Sequence, residues 1–213
     1  RFGRGARNGE EIRGGGKNNL VFKVQVASTP YILRMGNAGK ETTYQNEQWA
    51  ARVARDAGVP TPAIIEVGSI DGHSFSFQEY VEGTRGTGAP QEFAKIWMTL
   101  GRYARSIHSI PALKLEVKYE DMLRNLFEGD LFVTKKLFAP DLSSKIKKRI
   151  EESITWKFSP FLCHGNLHPS NVIVAPDGQI HLIDWETATG NRVPHAELAE
   201  IYTWNNGKEN IAH

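Results

Sequence analysis

Three polar residues in the last quarter of the sequence have the types and spacing of a phosphoryl-transfer site. Asn166 lies in FLCHGNLHPSN, Asn171 follows five residues later, and Asp184 lies in LIDWE thirteen residues after that. The same order in kinase-type sites gives an acceptor-positioning residue, an amide metal ligand and a carboxylate metal ligand. Such sites use Mg²⁺ to neutralise the phosphates of ATP. The sequence therefore predicts a site for ATP and Mg²⁺.

The amide at position 166 is the feature that needs explaining. An amide cannot accept a proton at neutral pH and brings no negative charge to the acceptor hydroxyl, although it can still form a hydrogen bond. Three interpretations fit: a working or weakened kinase, a nucleotide-binding pseudokinase that serves as a partner-binding module, or a carboxylate replaced by design to trap a complex. A fully different alternative is a helical interaction protein without a ligand, which would require the kinase-type residues and their order to be coincidental.

Phosphoryl transfer also needs a backbone-rich loop over the phosphates. RGGGKNN precedes the first strand-like run, and three consecutive glycines let the backbone approach a ligand closely. A flexible exposed loop is the simpler interpretation of a triple glycine alone. We predict nucleotide contacts for the residues of this loop: Gly14, Gly15, Gly16 and Lys17.

A cation on the phosphates and an acidic partner for it are predicted further along the chain. Arg34 in YILRM fits the strand cation, and Glu47, near the centre of a predicted helix, fits the acidic partner. Taken singly, either side chain would be an ordinary solvated residue. FQEYVEG is the predicted connection between lobes, with main-chain groups of about Glu79 to Val81 on the adenine edge.

The first 82 residues predict a β-β-α-β-β order. NNLVFKVQV (18–26) and YILRM (31–35) are β-branched runs separated by the turn cluster ASTP. A helix is expected from a capping box of Thr42 with Gln45 up to Gly58. AIIEVGSI and SFSFQEYV flank Asp71-Gly72, the dipeptide favoured in two-residue hairpin turns.

The remainder of the chain is predicted to be mainly helical. VEGTRGTGAP (81–90) is a linker candidate, and apolar residues at three- and four-residue spacing predict a helix from Phe93 to Ile107. Weaker helical patterns cover 119–128 and 141–157, and NVIVAPDGQIHLID predicts two short strands. The fold class is therefore α+β with two lobes: a small antiparallel-sheet lobe (1–82) with one helix and a helical lobe (83–213) carrying the catalytic and metal-binding loops.

These motifs resemble the aminoglycoside phosphotransferase and choline kinase family, small-molecule kinases with a protein-kinase-like fold. HGNLHPSN is similar to the family's H-G-D-x-H-x-x-N and LIDWE to its I-D-W/F-E, and the resemblance covers roughly residues 12–204. It implies transfer of phosphate from ATP to a hydroxyl of a small molecule. It further implies that Asp184 binds Mg²⁺, that Asn171 assists, and that position 166 is normally an aspartate handling the hydroxyl proton.

The resemblance also implies roles for the flanking residues. His164 belongs to the catalytic loop, which it would hold through hydrogen bonds, and His168 is the alternative base. Glu197 in HAELA stands where the family has the aspartate of a D-L-A run that supports the loop from behind. An aminoglycoside acceptor would favour acidic side chains in the pocket, and choline would favour an aromatic cage. The candidate residues include both types and so do not distinguish the two acceptors: Glu197, Glu200, Tyr202 and Trp204. No A-P-E closure follows IDWE, which disfavours a protein acceptor.

Composition sets outer limits on function. A formal charge of +2 gives no strong attraction to nucleic acid or to an acidic membrane, and no apolar run approaches the ~20 residues that span a bilayer. The single cysteine, Cys163, rules out an intramolecular disulfide and fits a reducing compartment. We therefore expect a cytoplasmic protein with a small-molecule partner and leave its oligomeric state open.

Overall fold

A computed structural model of the chain describes residues 6–12, 19–112, 140–153, 159–191 and residue 197. The predicted phosphate loop, residues 14–17, lies outside the described residues. So do the weak helical pattern at 119–128 and three of the four acceptor-site candidates, Glu200, Tyr202 and Trp204.

The N-terminal part of the described chain is an antiparallel sheet of five strands. The strands are β1 (Ala6–Glu11), β2 (Leu20–Val26), β3 (Thr29–Gly36), β4 (Ile64–Ile70) and β5 (His73–Glu79). They lie in the order β1-β2-β3-β5-β4. The four strands predicted from the sequence are confirmed. β1 was not predicted because its sequence, ARNGEE, has neither apolar alternation nor β-branched residues.

Both hairpins of this sheet turn over two residues. Ala27 and Ser28 have φ angles of 47° and 73°, and Asp71 and Gly72 have 49° and 78°. Two consecutive positive φ angles are the requirement of the type I′ turn, whose twist matches that of the flanking strands. The Asp71-Gly72 prediction is confirmed. The turn is shorter than the predicted ASTP cluster, because Pro30 lies inside β3 opposite Gln25.

Helix α1 (Glu41–Asp56) crosses behind the sheet and ends two residues before Gly58, as predicted. The predicted capping box is wrong. Lys40 is the N-cap residue and makes no side-chain cap, while Gln45 donates to the Glu41 carboxylate at 3.4 Å within the first turn. The helix begins earlier than the Thr-x-x-Gln pattern indicated, so the N-cap residue is Lys40, a turn residue, rather than Thr42.

The C-terminal part contains helices and short strands. The helices are α2 (Phe93–Ile107) and α3 (Pro140–Ser153), and the strands are β6 (Thr84–Arg85), β7 (Phe161–Cys163), β8 (Val172–Val174), β9 (Ile180–Leu182) and β10 (Thr189–Asn191). β6, β8 and β9 form one antiparallel sheet, and β7 pairs with β10. The predicted helix 93–107 and the strands flanking Asp177-Gly178 are confirmed.

The predicted linker at 81–90 is more ordered than its composition indicated. Thr84 pairs with Val174 and Arg85 with Ile173, and Gly86 and Ala89 are buried. A segment without periodicity was assigned to a linker because a two-residue strand is too short to show alternation. The chain thus enters its second sheet directly after the first.

One apolar core runs through the described chain. Ala50, Ala51 and Ala54 of α1 belong to the same buried cluster as Leu100 and Ile107 of α2. The buried residues of α2 recur with the 3.6-residue period of a helix, so one face of α2 packs against the core. None of the described helices is both long and apolar enough to cross a bilayer.

Candidate functional site

The hairpin of β8 and β9 brings Asn171 and Asp184 together from thirteen residues apart. Val172 pairs with Leu182, and the Ile183 N–H donates to the Asn171 carbonyl at 2.9 Å, so Asp184 follows directly. Asp184 has φ 66° and ψ 66°, a left-handed conformation that is uncommon outside glycine. Its side chain is 46% exposed. The local backbone therefore holds this carboxylate out of the core, where a ligand can reach it.

Asn171 closes the loop that carries Asn166. Its Nδ2 donates to the Asn166 carbonyl at 2.9 Å, and its own N–H donates to the His168 carbonyl at 3.0 Å. Asn171 is buried, whereas Asn166 is partly exposed. Because the amide nitrogen of Asn171 is engaged by the loop, its Oδ1 is the atom left for an external ligand.

His164 is a buried hydrogen-bonding residue of this loop. Its Nε2 lies 3.0 Å from the Ile183 carbonyl, and its ring packs against Trp185 with a centroid separation of 4.7 Å. Burial lowers the pKa of His164, against the opposing charge of Glu197. A neutral, enclosed imidazole agrees with the interpretation that His164 holds the loop rather than carries a proton.

Glu197 supports the loop from behind, as the resemblance implied. Its Oε1 accepts from the N–H groups of His164 and Gly165, the latter at 2.9 Å, and its Oε2 lies 2.6 Å from Nε2 of His108. Gly165 has φ +77°, and a Cβ there would lie 2.3 Å from the Thr187 carbonyl oxygen. The loop therefore needs glycine at 165 and an acceptor at 197.

The predicted pair of Arg34 and Glu47 is present and buried. Arg34 Nη1 bonds Oε1 of Glu47, with relative exposures of 8% and 2% for the two residues. Burial alone would lower the pKa of Arg34, but the carboxylates of Glu47 and Asp184 raise it overall. Burial raises the pKa of Glu47, and the guanidinium opposes this by favouring the carboxylate. Arg34 remains charged and reaches Asp184 at 3.8 Å.

Three further residues complete this charged cluster. Glu186 accepts from Arg34 and Lys40, each at 3.1 Å. Asn19 donates to Glu186 and accepts from Lys40, again at 3.1 Å. Nothing in the local sequence singles out Lys40 or Asn19, because each meets Glu186 across more than 140 positions of the chain.

A cleft of about 350 Å³ connects this cluster to the segment after β5. One part of its wall is apolar and the charged part ends at Arg34 and Asp184. The lining residues are Ile12, Asn19, Val21, Ile32, Arg34, Pro62, Gln78, Glu79, Tyr80, Val81, Gly83, Arg85, Ile173, Ile183, Asp184 and Glu186. A cleft of this size, with an apolar wall and convergent polar groups, is typical of a small-molecule site.

Glu79 and Val81, for which contacts with the adenine edge are predicted, both line the cleft, but Glu79 is already partly engaged. Its N–H donates to the Ala63 carbonyl at 2.9 Å, and its carboxylate accepts from the Ala63 N–H at 2.8 Å. The main-chain N–H of Glu79 is therefore not available to a ligand. A donor for a base edge has to come from the residues that follow.

The predicted residues thus fall into two adjoining groups. Arg34, Glu47 and Asp184 meet at the charged end of the cleft, and Asn166, His164 and Asn171 share the loop beside it. Nδ1 of His168, the alternative base, lies 2.7 Å from the Ser170 hydroxyl, so this nitrogen is held within the loop.

The donor atoms at the charged end fit Mg²⁺. The Asp184 carboxylate and Asn171 Oδ1 are hard oxygen ligands of the kind this ion prefers. Three described carboxylates, those of Glu47, Asp184 and Glu186, face the two cations Arg34 and Lys40, which leaves a net charge of −1. A triphosphate would be repelled by this cluster unless a divalent cation entered with it.

Comparison with known proteins gives a consistent result. The sequence profile described as "Phosphotransferase enzyme family" matches residues 9–209. An uncharacterized protein in the ileS 3' region of Staphylococcus aureus is 27% identical over 96 residues, 45% of this chain and 72% of that protein.

Solved structures share the fold at low sequence identity. A thermostable mutant of aminoglycoside phosphotransferase APH(4)-Ia, in a ternary complex with ADP and hygromycin B, has a TM-score of 0.68 at 16% identity over 94% of this chain and 73% of that one. A putative fructosamine-3-kinase from Haemophilus somnus has a TM-score of 0.63 at 14% identity, covering 98% and 78%. The predicted protein-kinase-like fold is thereby confirmed.

Proposed function

Since this chain belongs to the phosphotransferase enzyme family, we propose that it transfers a phosphoryl group from ATP to a hydroxyl of a small molecule, with Mg²⁺. The observation that carries the proposal is the buried pair of Arg34 and Glu47, which aims a cation at Asp184 across 3.8 Å. An arginine held by a buried glutamate beside an exposed carboxylate suits phosphate and metal together.

The nucleotide would lie in the cleft with its base against the apolar wall. Main-chain groups from Glu79 to Val81 would face the base, and Arg34 would donate to phosphate oxygens at the charged end. The loop of Gly14, Gly15, Gly16 and Lys17 would cover the phosphates. The neighbour APH(4)-Ia was solved with ADP in a ternary complex, which supports a nucleotide in this fold.

Asp184 and Asn171 would hold Mg²⁺, which supplies charge neutralisation for the phosphates when bound. The amide of Asn166 would accept a hydrogen bond from the acceptor hydroxyl and orient its oxygen toward the phosphorus. The hydroxyl proton would leave late, to the transferred phosphate or to solvent. Loss of a general base costs typically 10² to 10⁴-fold in rate, so an enzyme with Asn166 would be slow rather than inactive.

The alternative is a pseudokinase that binds the nucleotide and transfers nothing, acting as a partner-binding module. Asn166 itself favours this alternative, because the binding residues Arg34, Asn171 and Asp184 are kept while the catalytic carboxylate is not. Both proposals require nucleotide binding, and turnover alone separates them.

We further propose an aminoglycoside-like or choline-like acceptor and a cytoplasmic location. The neighbours include a structure with the aminoglycoside hygromycin B and a putative fructosamine-3-kinase, both named for small hydroxylated compounds. We place the lobe boundary between residues 82 and 83, since β5 closes the first sheet at Glu79 and β6 opens the second at Thr84.

The test is a paired titration and turnover measurement on the protein and on Asn166→Asp. We expect both to bind MgATP with similar affinity, and the Asp variant to raise turnover about 10² to 10⁴-fold across a panel of aminoglycosides and amino alcohols. His168→Asn, made in the protein and in Asn166→Asp, is the matched control for the alternative base in the same loop. It should leave the turnover rate of each parent protein unchanged.

Each outcome has a defined meaning. Turnover only in Asn166→Asp identifies a kinase disarmed at one residue, and turnover by the protein itself shows that the amide suffices. Failure of both proteins to bind MgATP would overturn the nucleotide site and with it both proposals.

A further inference from the structure

A second cluster of metal-ligand side chains lies behind the loop, and none of its members lines the cleft. His108 follows the last turn of α2, Cys163 ends β7, and Glu197 supports the loop. His108 Nε2 lies 2.6 Å from Glu197 Oε2 and 3.8 Å from Cys163 Sγ. All three ligand atoms lie within 4.8 Å of one another.

We propose that His108, Cys163 and Glu197 form a binding site for Zn²⁺ or a similar borderline-soft divalent ion. Zinc takes nitrogen, sulfur and oxygen ligands with tetrahedral geometry, at about 2.0 Å to nitrogen and 2.3 Å to sulfur. Those bonds place a nitrogen and a sulfur about 3.6 Å apart and a nitrogen and an oxygen about 3.4 Å apart. The observed nitrogen to sulfur distance of 3.8 Å is close to this, and the His108–Glu197 pair has to open by about 0.8 Å.

Charge balance favours a divalent ion at this buried position. Binding releases the thiol proton of Cys163, so a thiolate and the Glu197 carboxylate together offset the two positive charges. His108 takes part as a neutral imidazole with its proton on Nδ1. Cys163 and Glu197 are each 2% exposed, whereas the His108 side chain is 19% exposed and gives the ion its entry.

The two oxygens of Glu197 have separate functions in this arrangement. Oε1 accepts from the amides of His164 and Gly165, while Oε2 faces His108 and is available to the ion. A bound ion would therefore join the end of α2 and strand β7 to the carboxylate that supports the loop. Unfolding temperature should rise with Zn²⁺ concentration, because the ion binds only the folded arrangement.

This site is chemically distinct from the proposed Mg²⁺ site. Mg²⁺ prefers oxygen ligands and does not bind thiolate, whereas softer ions do. Excess Mg²⁺ should consequently leave Zn²⁺ binding unchanged. The inference stands on its own residues and is independent of whether the chain transfers phosphate.

The experiment is calorimetric titration of Zn²⁺ into the full chain in excess Mg²⁺, together with Co²⁺ absorption spectra. We expect one ion per chain, proton release, and a thiolate-to-cobalt charge-transfer band. Cys163→Ser and His108→Asn should each weaken the affinity at least about tenfold, and Cys163→Ser should remove the band. Glu197 is left unaltered because it also accepts from the amides of His164 and Gly165, so its removal would change the loop and the metal site together.

Two controls keep the result decisive. His73→Asn removes an exposed histidine from the distant β4–β5 hairpin, and Asp184→Asn removes the proposed Mg²⁺ ligand; both should retain full Zn²⁺ affinity. Metal-free unfolding temperatures of all variants establish that each is folded. Equal Zn²⁺ affinity in the chain and in Cys163→Ser and His108→Asn, or loss in Asp184→Asn, would overturn the site.

Discussion

Two buried glutamates, one on each side of the candidate site, have the same exposure and opposite functions. Glu47 in α1 and Glu197 behind the loop are each 2% exposed. Glu47 faces a guanidinium and neutralises a buried positive charge, whereas Glu197 faces two main-chain N–H groups and a histidine. Equal burial of the two glutamates therefore does not predict an equal loss of stability on substitution, because that loss depends on which partner group is left unpaired.

The two sides of the site also differ in the interactions that hold them together. The Arg34 side depends on charge, and its three carboxylates and two cations are all present. The loop side depends on main-chain hydrogen bonds, which do not involve the side chain of Asn166. A change from aspartate to asparagine at 166 can thus leave the loop folded while altering its reactivity.

Glu47→Gln should have the largest effect on stability. It leaves the buried guanidinium of Arg34 without its full counter-charge, and breaking a buried ion pair typically costs 3–5 kcal/mol. Because Glu186 stays at 3.1 Å, we expect the lower end, about 3 kcal/mol, in urea unfolding. The exposed i,i+4 pair gives the matched control: Asp56→Asn should cost under about 0.5 kcal/mol. Equal costs for the two variants would contradict a buried pair.

Glu197→Gln should cost less, about 1–3 kcal/mol of unfolding free energy. The substituted amide keeps one oxygen that can accept from the loop, but the charge-assisted part of both N–H bonds is lost. We expect weakened protection of the His164 and Gly165 amides in hydrogen exchange. A variant that loses more stability than Glu47→Gln would reverse the comparison between the two glutamates.

Acidification should weaken the loop side through His164. Burial lowers the pKa of His164 in the folded chain, so below pH about 6.5 the unfolded chain binds a proton that the folded chain does not. Unfolding free energy should then fall as pH decreases, by at most about 1.4 kcal/mol per pH unit from this residue. The difference between the chain and His164→Gln, measured from pH 7.5 to 5, isolates this contribution, and parallel profiles would contradict it.

Asp184→Asn should have the smallest effect on stability and a large effect on ligand binding. The side chain is half-exposed, and asparagine tolerates the left-handed backbone at this position, so stability should change by under about 0.5 kcal/mol. We expect Mg²⁺ to lose its effect on ATP affinity, while metal-free ATP binds more tightly because the cluster loses its net negative charge. Unchanged Mg²⁺ dependence in calorimetry would remove Asp184 from the metal site.

Residue pattern is enough to predict most of the helices and strands and the local spacing of the site. Alternation and turn dipeptides specify β2 to β5, the period of α2 specifies its buried face, and the β8–β9 hairpin fixes Asn171 beside Asp184. These features depend on neighbours close in the chain, so residue pattern alone is enough to predict them. The pairing of Arg34 with Glu47 was also predicted, from the cation and acidic partner that kinase-type sites share rather than from local residue pattern.

The contacts between side chains that are distant in the chain depend on how the whole chain folds. Lys40 and Asn19 reach Glu186 across more than 140 positions, and His108 reaches Cys163 and Glu197 across 55 and 89. The N-cap of α1 and the short strand β6 were decided in the same way, by packing that outweighs weak local preference. Sequence pattern records what one segment prefers, whereas these contacts exist because a shared core fixes segments that have no local relation.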